Sequence, residues 1–172
     1  MRRRHPPIPA IWLMTDERMG DGLWRALARL PRGAGVVFRH YGLAADVRRD
    51  LLRKVAKIAH RRGLILVAAG EDHGVKIAGT HNRRGTGLRT ASAHTRREAI
   101  AAVRAGTDAL FVSPVFATRS HPGARALGPI RFALMVRGLP IPVIALGGMT
   151  ARRARRLQWL GASGWAAIDA WL

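Results

Sequence analysis

Four groups of residues in this chain of 172 have the types and spacing to do chemistry. Thr118, Arg119, Ser120, His121 and Gly123 form a polar loop directly after an apolar run that ends in Ser113-Pro114-Val115-Phe116. Hydroxyls, a cation and glycine just past a buried strand are how an α/β protein holds an anion at a strand's carboxyl end. Gly147-Gly148 follows a second apolar run, and either leaves backbone N–H groups open to a phosphate or merely makes a tight turn. Arg39, at the end of an apolar stretch, suits phosphate or pyrophosphate, or is an ordinary arginine at a rim. Ser92 and His94 close a further apolar segment. An imidazole titrates near neutrality and suits general-base work, while the plainer reading makes His94 the residue that precedes a helix beside Thr95. His40, His73, His81 and His121 lack any HxxxH or HExxH spacing, so no metal site is assigned to them.

Placing these groups requires a repeating βα framework. Apolar runs at Ile11–Met14, Gly35–Phe38, Leu64–Ala68, Val75–Ala78, Leu88–Ser92, Ala109–Val115, Val143–Leu146 and Trp165–Ile168 read as eight strands. Helical spacing links most of them. Leu23, Leu27 and Leu30 share a face over 22–30, and Val47, Leu51, Leu52, Val55, Ile58 and Ala59 recur over 47–60. Asp46 is the expected N-cap there and Gly63 the stop. Further helices are expected over 96–105, 130–138 and 151–160. Only Ala69 to Gly74 separates the third and fourth runs, too short for a crossover helix. The gap from Gly79 to Gly87 is no better. Periodicity alone leaves a closed barrel and an open doubly wound sheet equally possible.

The ordered runs SAHT (Ser92–Thr95), PVFATRSHPG (Pro114–Gly123) and ALGGMT (Ala145–Thr150) resemble the thiamine-phosphate synthase family with its TenI-type thiazole tautomerase relatives. The resemblance runs from Ile11 to the end and is strongest over Ser92–Leu172. It decides for α/β architecture of one kind: a compact (β/α)8 TIM barrel with the helices after strands three and four lost or reduced. At 172 residues the chain is short against the usual ~200–250. Residues 1–10 are then a basic, Pro-rich N-terminal segment and residues 11–172 the barrel domain. A bare wall at strands three and four would be covered by loops or by a second subunit, so a homo-oligomer is expected.

The resemblance also implies a chemistry. In the synthase a pyrimidine methyl pyrophosphate loses pyrophosphate, assisted by Mg²⁺ and basic side chains, and a thiazole phosphate nitrogen attacks the resulting cation. The thiazole phosphate pocket would be Thr118, Ser120, Gly147 and Gly148, with His121 in place of the usual lysine. Arg39 survives alone from the strand-two motif, and Ser92 matches a serine near the pyrimidine and pyrophosphate. The two metal carboxylates are missing: Ala68-Ala69 stands at one position, and His81 or Asn82 near the other. Asp169 stands where the family carries a serine beside the phosphate, and a carboxylate there repels it. Phosphate binding with a degraded Mg²⁺-pyrophosphate site argues against full synthase activity. The alternatives are a metal-free thiazole tautomerase with His94 as base, and a non-catalytic barrel that binds phosphate or a polyanion. No cofactor is fixed by these residues; Mg²⁺ is required only if synthase activity is retained.

Composition narrows the setting. Thirty basic against ten acidic residues give a net charge of +20. Nucleic acid is one reading of that charge; arginine dispersed over exposed helix faces is favoured, because the Arg-Arg pairs are scattered along the chain. The absence of cysteine excludes disulfides and thiolate metal sites and fits a reducing, cytoplasmic setting. No apolar run reaches the ~18 residues of a membrane span. Prolines interrupt the N-terminal stretch where a signal sequence would be apolar.

Overall fold

In a computed structural model, which describes residues 6–118, 123 and 125–172, eight parallel strands close into one barrel in sequence order. They are β1 (Ile11–Met14), β2 (Gly35–Phe38), β3 (Ile65–Ala69), β4 (Gly79–His81), β5 (Leu88–Ala93), β6 (Ala109–Val112), β7 (Val143–Leu146) and β8 (Gly164–Ala167). The pairing of β1 with β8, Trp12 opposite Ala166, completes the closure. Among the described residues five α-helices lie outside: α1 (Gly22–Arg29), α2 (Ala45–Arg62), α3 (Arg96–Arg104), α4 (Gly128–Val136) and α5 (Ala151–Gln158). No helix follows β3 or β4, so the expected compact (β/α)8 barrel is the observed fold.

Alternation along each strand sends every second side chain inward. Contacts between strands that are not neighbours identify the interior. The Trp12 and Phe111 rings meet edge to face at 5.2 Å, and Phe111 meets the His81 ring the same way at 5.3 Å. These three strands touch only across the barrel axis. Gly35 makes this possible: a Cβ there would lie 2.1 Å from the Trp12 indole. A packed apolar floor therefore sits beneath the carboxyl ends of the strands, where loops gather.

The fourth strand differs from expectation. It is Gly79–His81, not Val75–Ala78. Val75 and Ile77 belong to the preceding loop and pack on the core cluster, which covers part of the wall that a crossover helix would have shielded. The loop is anchored by Ala78 N–H to Leu66 O at 2.8 Å. Asp46 is also not a cap: α2 starts from Ala44 with no side-chain cap, and Asp46 lies in the first turn, where a carboxylate still favours the helix dipole. The buried stripe of α2 is Arg48, Leu52, Val55 and Ala59, whereas Val47 is exposed. After β8 comes a short 3-10 turn, Asp169–Trp171. Trp171 stacks on Trp165 at 5.3 Å and donates its indole N–H to Trp12 O. Arg29 holds Leu172 O at 2.8 Å.

The arginines of α2, α3 and α5 are exposed apart from Arg48. They are spread around the barrel rather than gathered on one helix. Among the described residues, no helix is long and apolar enough to cross a membrane.

Candidate functional site

The carboxyl face of the barrel has two halves. The first, over β6–β8, is a cavity of about 340 Å³ lined by Thr118, Gly147, Gly148, Thr150, Arg153 and Asp169 among others. Gly147 and Gly148 adopt positive φ of 95° and 57°. A Cβ on Gly148 would come 2.4 Å from Ala117 O, and one on Gly147 2.8 Å from Pro114 Cα. Tight turn and close approach both demand glycine here. The Gly148 and Met149 N–H groups have no acceptor among the described residues. They lie in the turn that opens α5, whose Thr150 side chain caps the Arg153 N–H. Such a terminus favours negative charge.

Arg153 is the side chain the sequence reading missed as an individual. Its guanidinium lies 4.5 Å from the centre of the Phe116 ring and donates to Gly148 O. It thereby puts a positioned cation on the cavity wall. The signal was the spacing: three residues after the Thr150 cap, a long side chain reaches back over the helix start. Thr118 lines this cavity, whereas Arg119, Ser120 and His121 lie outside the described residues. Asp169, exposed, also lines the cavity and interacts electrostatically with Arg18.

The second half covers β1–β5. Arg39 leaves β2 and turns toward the end of β1: its side chain donates to Thr15 O at 2.9 Å and to Asp16 at 3.0 Å. Burial acts to lower its pKa, with the Asp16 charge opposing. Burial works to raise the Asp16 carboxyl, but hydrogen bonds from Arg18 and the charges of Arg18 and Arg39 together hold it below the ordinary range. Arg39 is thus committed in part to its own ion pair. His40 is buried, stacked on Phe38 at 4.8 Å, with Nδ1 3.0 Å from the Thr15 hydroxyl.

Arg48, the buried arginine of α2, braces this half. It donates to His40 O at 3.0 Å and to the carbonyls of Ala69 and Glu71, with its cation 5.0 Å from the Phe38 ring centre. Sequence patterning hides it, because an arginine on an inward stripe reads as a solvated one. At the end of β4, His81 is buried and presents Nδ1 to Thr90 Oγ1 at 2.9 Å and Nε2 to Ser92 Oγ at 3.0 Å. Burial, with a smaller contribution from Arg39, pushes its pKa down to about 3.

These residues do not fit a magnesium ion. Ala69 ends β3 where a carboxylate would be needed, the Arg48 guanidinium sits on the Ala69 and Glu71 carbonyls, and both His81 nitrogens are engaged. Asp72 accepts from Gly74 N–H. Hard oxygen donors are what Mg²⁺ needs, and among the described residues no group of three or more His, Asp or Glu could hold a metal.

Between the halves, His94 follows β5. Its N–H donates to the Glu98 carboxylate at 2.7 Å, which holds that carboxyl below its usual range. Thr95 caps α3 by accepting from Glu98 N–H, a reciprocal arrangement close to a capping box. His94 Nδ1 lies 2.8 Å from Ser113 O. A carbonyl only accepts, so in neutral His94 Nδ1 carries the proton and Nε2 keeps its lone pair.

A family profile described as Thiamine monophosphate synthase matches residues 82–171. A thiamine-phosphate synthase of Geobacillus kaustophilus is 43% identical over 81 residues, 46% of this chain but only 37% of that protein. The matched stretch thus spans little more than a third of that relative's length. A putative thiamine-phosphate synthase of Geobacter sulfurreducens is 29% identical over 184 residues, covering 94% of this chain and 85% of that one. The solved structure of a thiamine phosphate pyrophosphorylase from Pyrococcus furiosus superposes with a TM-score of 0.78 at 21% identity, over 93% of this chain and 85% of that one. At that identity the superposition speaks for the barrel fold.

Proposed function

The chain belongs to the thiamine monophosphate synthase family, and from that premise we propose that its β6–β8 cavity binds the phosphate end of a small phosphorylated heterocycle, in the first instance a thiazole phosphate. The observation that carries this is the convergence of the Arg153 cation, the Thr118 side chain and the Gly147-Gly148 turn at the start of α5. A dianion there gains charge-assisted hydrogen bonds that a neutral ligand does not. Ser120 and His121 belong to the same proposal as the loop that would complete the pocket.

The poor fit of the other half to Mg²⁺ argues against a complete synthase cycle, in which a pyrophosphate must depart. An assay with both substrates, with and without Mg²⁺, decides this. Saturable binding of thiazole phosphate without thiamine phosphate formation is expected. Magnesium-dependent product would overturn the reading of the metal site, and no binding at millimolar ligand would overturn the phosphate reading. Pyrimidine phosphates, carrying the same anion, are the other ligands of this class, and a cytoplasmic setting is part of the proposal.

One observation favours a second activity on the same face. The His94 tautomer leaves Nε2 able to take a proton, and its backbone is fixed by Glu98. Tautomerisation of a thiazole carboxylate phosphate needs one such base and no metal.

Self-association is the remaining part of the proposal, and it belongs on α4 rather than at β4. Ile130 and Leu134, one turn apart, are 77% and 63% exposed, and Trp159 is 91% exposed. Trp159 and Ala133 line one groove of about 470 Å³ between α4 and α5. A stable interface covers roughly 800 Å² per partner, so these three side chains would form the apolar centre of such a contact with polar residues around it. Sedimentation at two concentrations tests it: Trp159→Arg should abolish any dimer.

A further inference from the structure

The outer wall of the barrel carries a groove at β5. Thr90 and Ser92 bond the His81 ring, which meets Phe111 across the barrel, so both point inward; Arg89 and Ala91, by alternation, point outward. No helix follows β4 to cover them. A groove of about 370 Å³ is left there between the 82–84 turn and the α3 side, where Ala91, Ala102 and Ala105 form an apolar floor. Among the described residues, the charged side chains that line it are Arg83, Arg84 and Arg89, all cations.

The walls of the groove are held in place by the protein itself. Asn82 adopts a positive φ of 56°, donates its N–H to Thr90 O at 2.9 Å and accepts from Ser92 N–H at 2.7 Å. Thr80 donates to Arg83 O at 3.0 Å, and the Arg83 guanidinium donates to Gly70 O at 2.7 Å. Arg89 is turned onto the end of α3, where it donates to Gly106 O. Arg84 is exposed, and among the described residues no hydrogen bond or ion pair engages its guanidinium. Two carboxylates of this flank are engaged elsewhere: Asp108 accepts from Arg89 N–H at 2.8 Å, and Glu98, one turn before Ala102, accepts from His94 N–H at 2.7 Å.

We infer that this groove is a second ligand site, on the outer wall of the barrel rather than in its mouth, for a small planar ring that carries a phosphate monoester. The ring lies on the alanine floor and the phosphate meets Arg84 and Arg83. The volume is that of a small-molecule site, ~300–1,000 Å³. Guanidinium forks match phosphate oxygens in pairs and hold them more strongly than neutral groups. Alanine methyls offer no hydrogen bond and make a shallow floor, which suits a flat apolar ring.

The chain has no cysteine, so one introduced thiol reports on one place. Ala105→Cys sets it in the groove at an exposed position; Lys54→Cys sets it among the exposed cations of α2, as a control for charge alone. The readout is the rate of N-ethylmaleimide labelling of the full chain, with naphthyl phosphate, naphthol and inorganic phosphate as probes. Naphthyl phosphate should slow labelling of Ala105→Cys saturably at millimolar concentration and leave Lys54→Cys unchanged. Naphthol and inorganic phosphate should each protect at least about tenfold more weakly, since each lacks one half of the contact. Adding Arg84→Ala should raise the half-protecting concentration about tenfold, as loss of a hydrogen bond to a charged group does; an unchanged melting temperature shows that this variant is folded. Arg153→Leu should leave the protection unchanged, which keeps the result independent of the glycine-pair cavity. No protection at millimolar naphthyl phosphate would overturn the inference. So would equal slowing at both thiols, equal protection by either half-probe, or protection lost in Arg153→Leu.

Discussion

The Arg153 guanidinium lies over the Phe116 ring, 4.5 Å from its centre, while one of its nitrogens donates to Gly148 O. The ring comes from the β6 exit and the arginine from α5, so the contact joins two loops that frame one cavity. A cation stacked on an aromatic face keeps its in-plane N–H groups for hydrogen bonds. Arg153→Leu should therefore weaken thiazole phosphate or inorganic phosphate binding by about tenfold or more, in line with the ~1.5–3 kcal/mol of a hydrogen bond to a charged group. Arg153→Lys keeps the charge but loses the planar stack, and should fall between. Calorimetric titration of the three proteins checks this; equal affinities would remove Arg153 from the pocket.

Asp169 lines the same cavity, and a carboxylate there would oppose the phosphate proposed for it. Asp169→Ser should raise phosphate affinity about threefold to tenfold at low salt, since a like charge near 4 Å costs ~1 kcal/mol in water-like surroundings. The gain should shrink as salt is added, because the group is exposed. A gain that is the same at all ionic strengths would mean that shape, not charge, was changed.

His81 makes folding stability depend on pH in a definite direction. Its folded pKa is depressed to about 3, below the ordinary histidine value near 6.5. Between those limits the unfolded chain binds a proton that the folded chain refuses, so stability falls as pH drops below about 6.5. The contribution is complete at higher pH, and the slope is on the order of 1 kcal/mol per pH unit. Denaturant titrations from pH 7 to pH 4 should show this loss, and His81→Gln, which does not titrate, should flatten it. A His81→Gln protein with the same slope would assign the loss to other groups.

Much of the scaffold was legible and part of the site was not, for physical reasons. Seven strands announce themselves because apolar runs line the barrel; β4 does not, since its three residues are Gly79, Thr80 and His81. A polar interior side chain satisfied by hydroxyls carries no hydrophobic signal, and the neighbouring Val75 and Ile77, which pack as a loop, carry a misleading one. Arg48 was hidden in the same way, its charge answered by main-chain carbonyls that only the fold brings together. Gly147 and Gly148 were found by pattern, but their positive φ shows that turn geometry alone would have required them. The cation that makes the turn a candidate site, Arg153, comes from spacing along α5 rather than from composition.

His94 decides between the two activities proposed for the face. Glu98 holds its N–H and Ser113 O holds its Nδ1, which leaves the Nε2 lone pair intact in the neutral ring. His94→Gln keeps a hydrogen-bonding side chain of similar reach but offers no basic nitrogen. It should abolish turnover of a thiazole carboxylate phosphate, a loss of about 100-fold or more, as general-base removal commonly costs. Phosphate binding at the glycine pair should be spared, since His94 does not line that cavity. Glu98→Gln leaves the imidazole in place and weakens the brace behind it, so it should lower turnover by a smaller factor and also shift acid unfolding. Its carboxyl is depressed in the folded protein, so its stabilising contribution is full above the ordinary carboxylate range and is lost as pH falls from there through the lower folded value. Unchanged turnover in His94→Gln would leave phosphate binding as the function of the face and end the tautomerase reading.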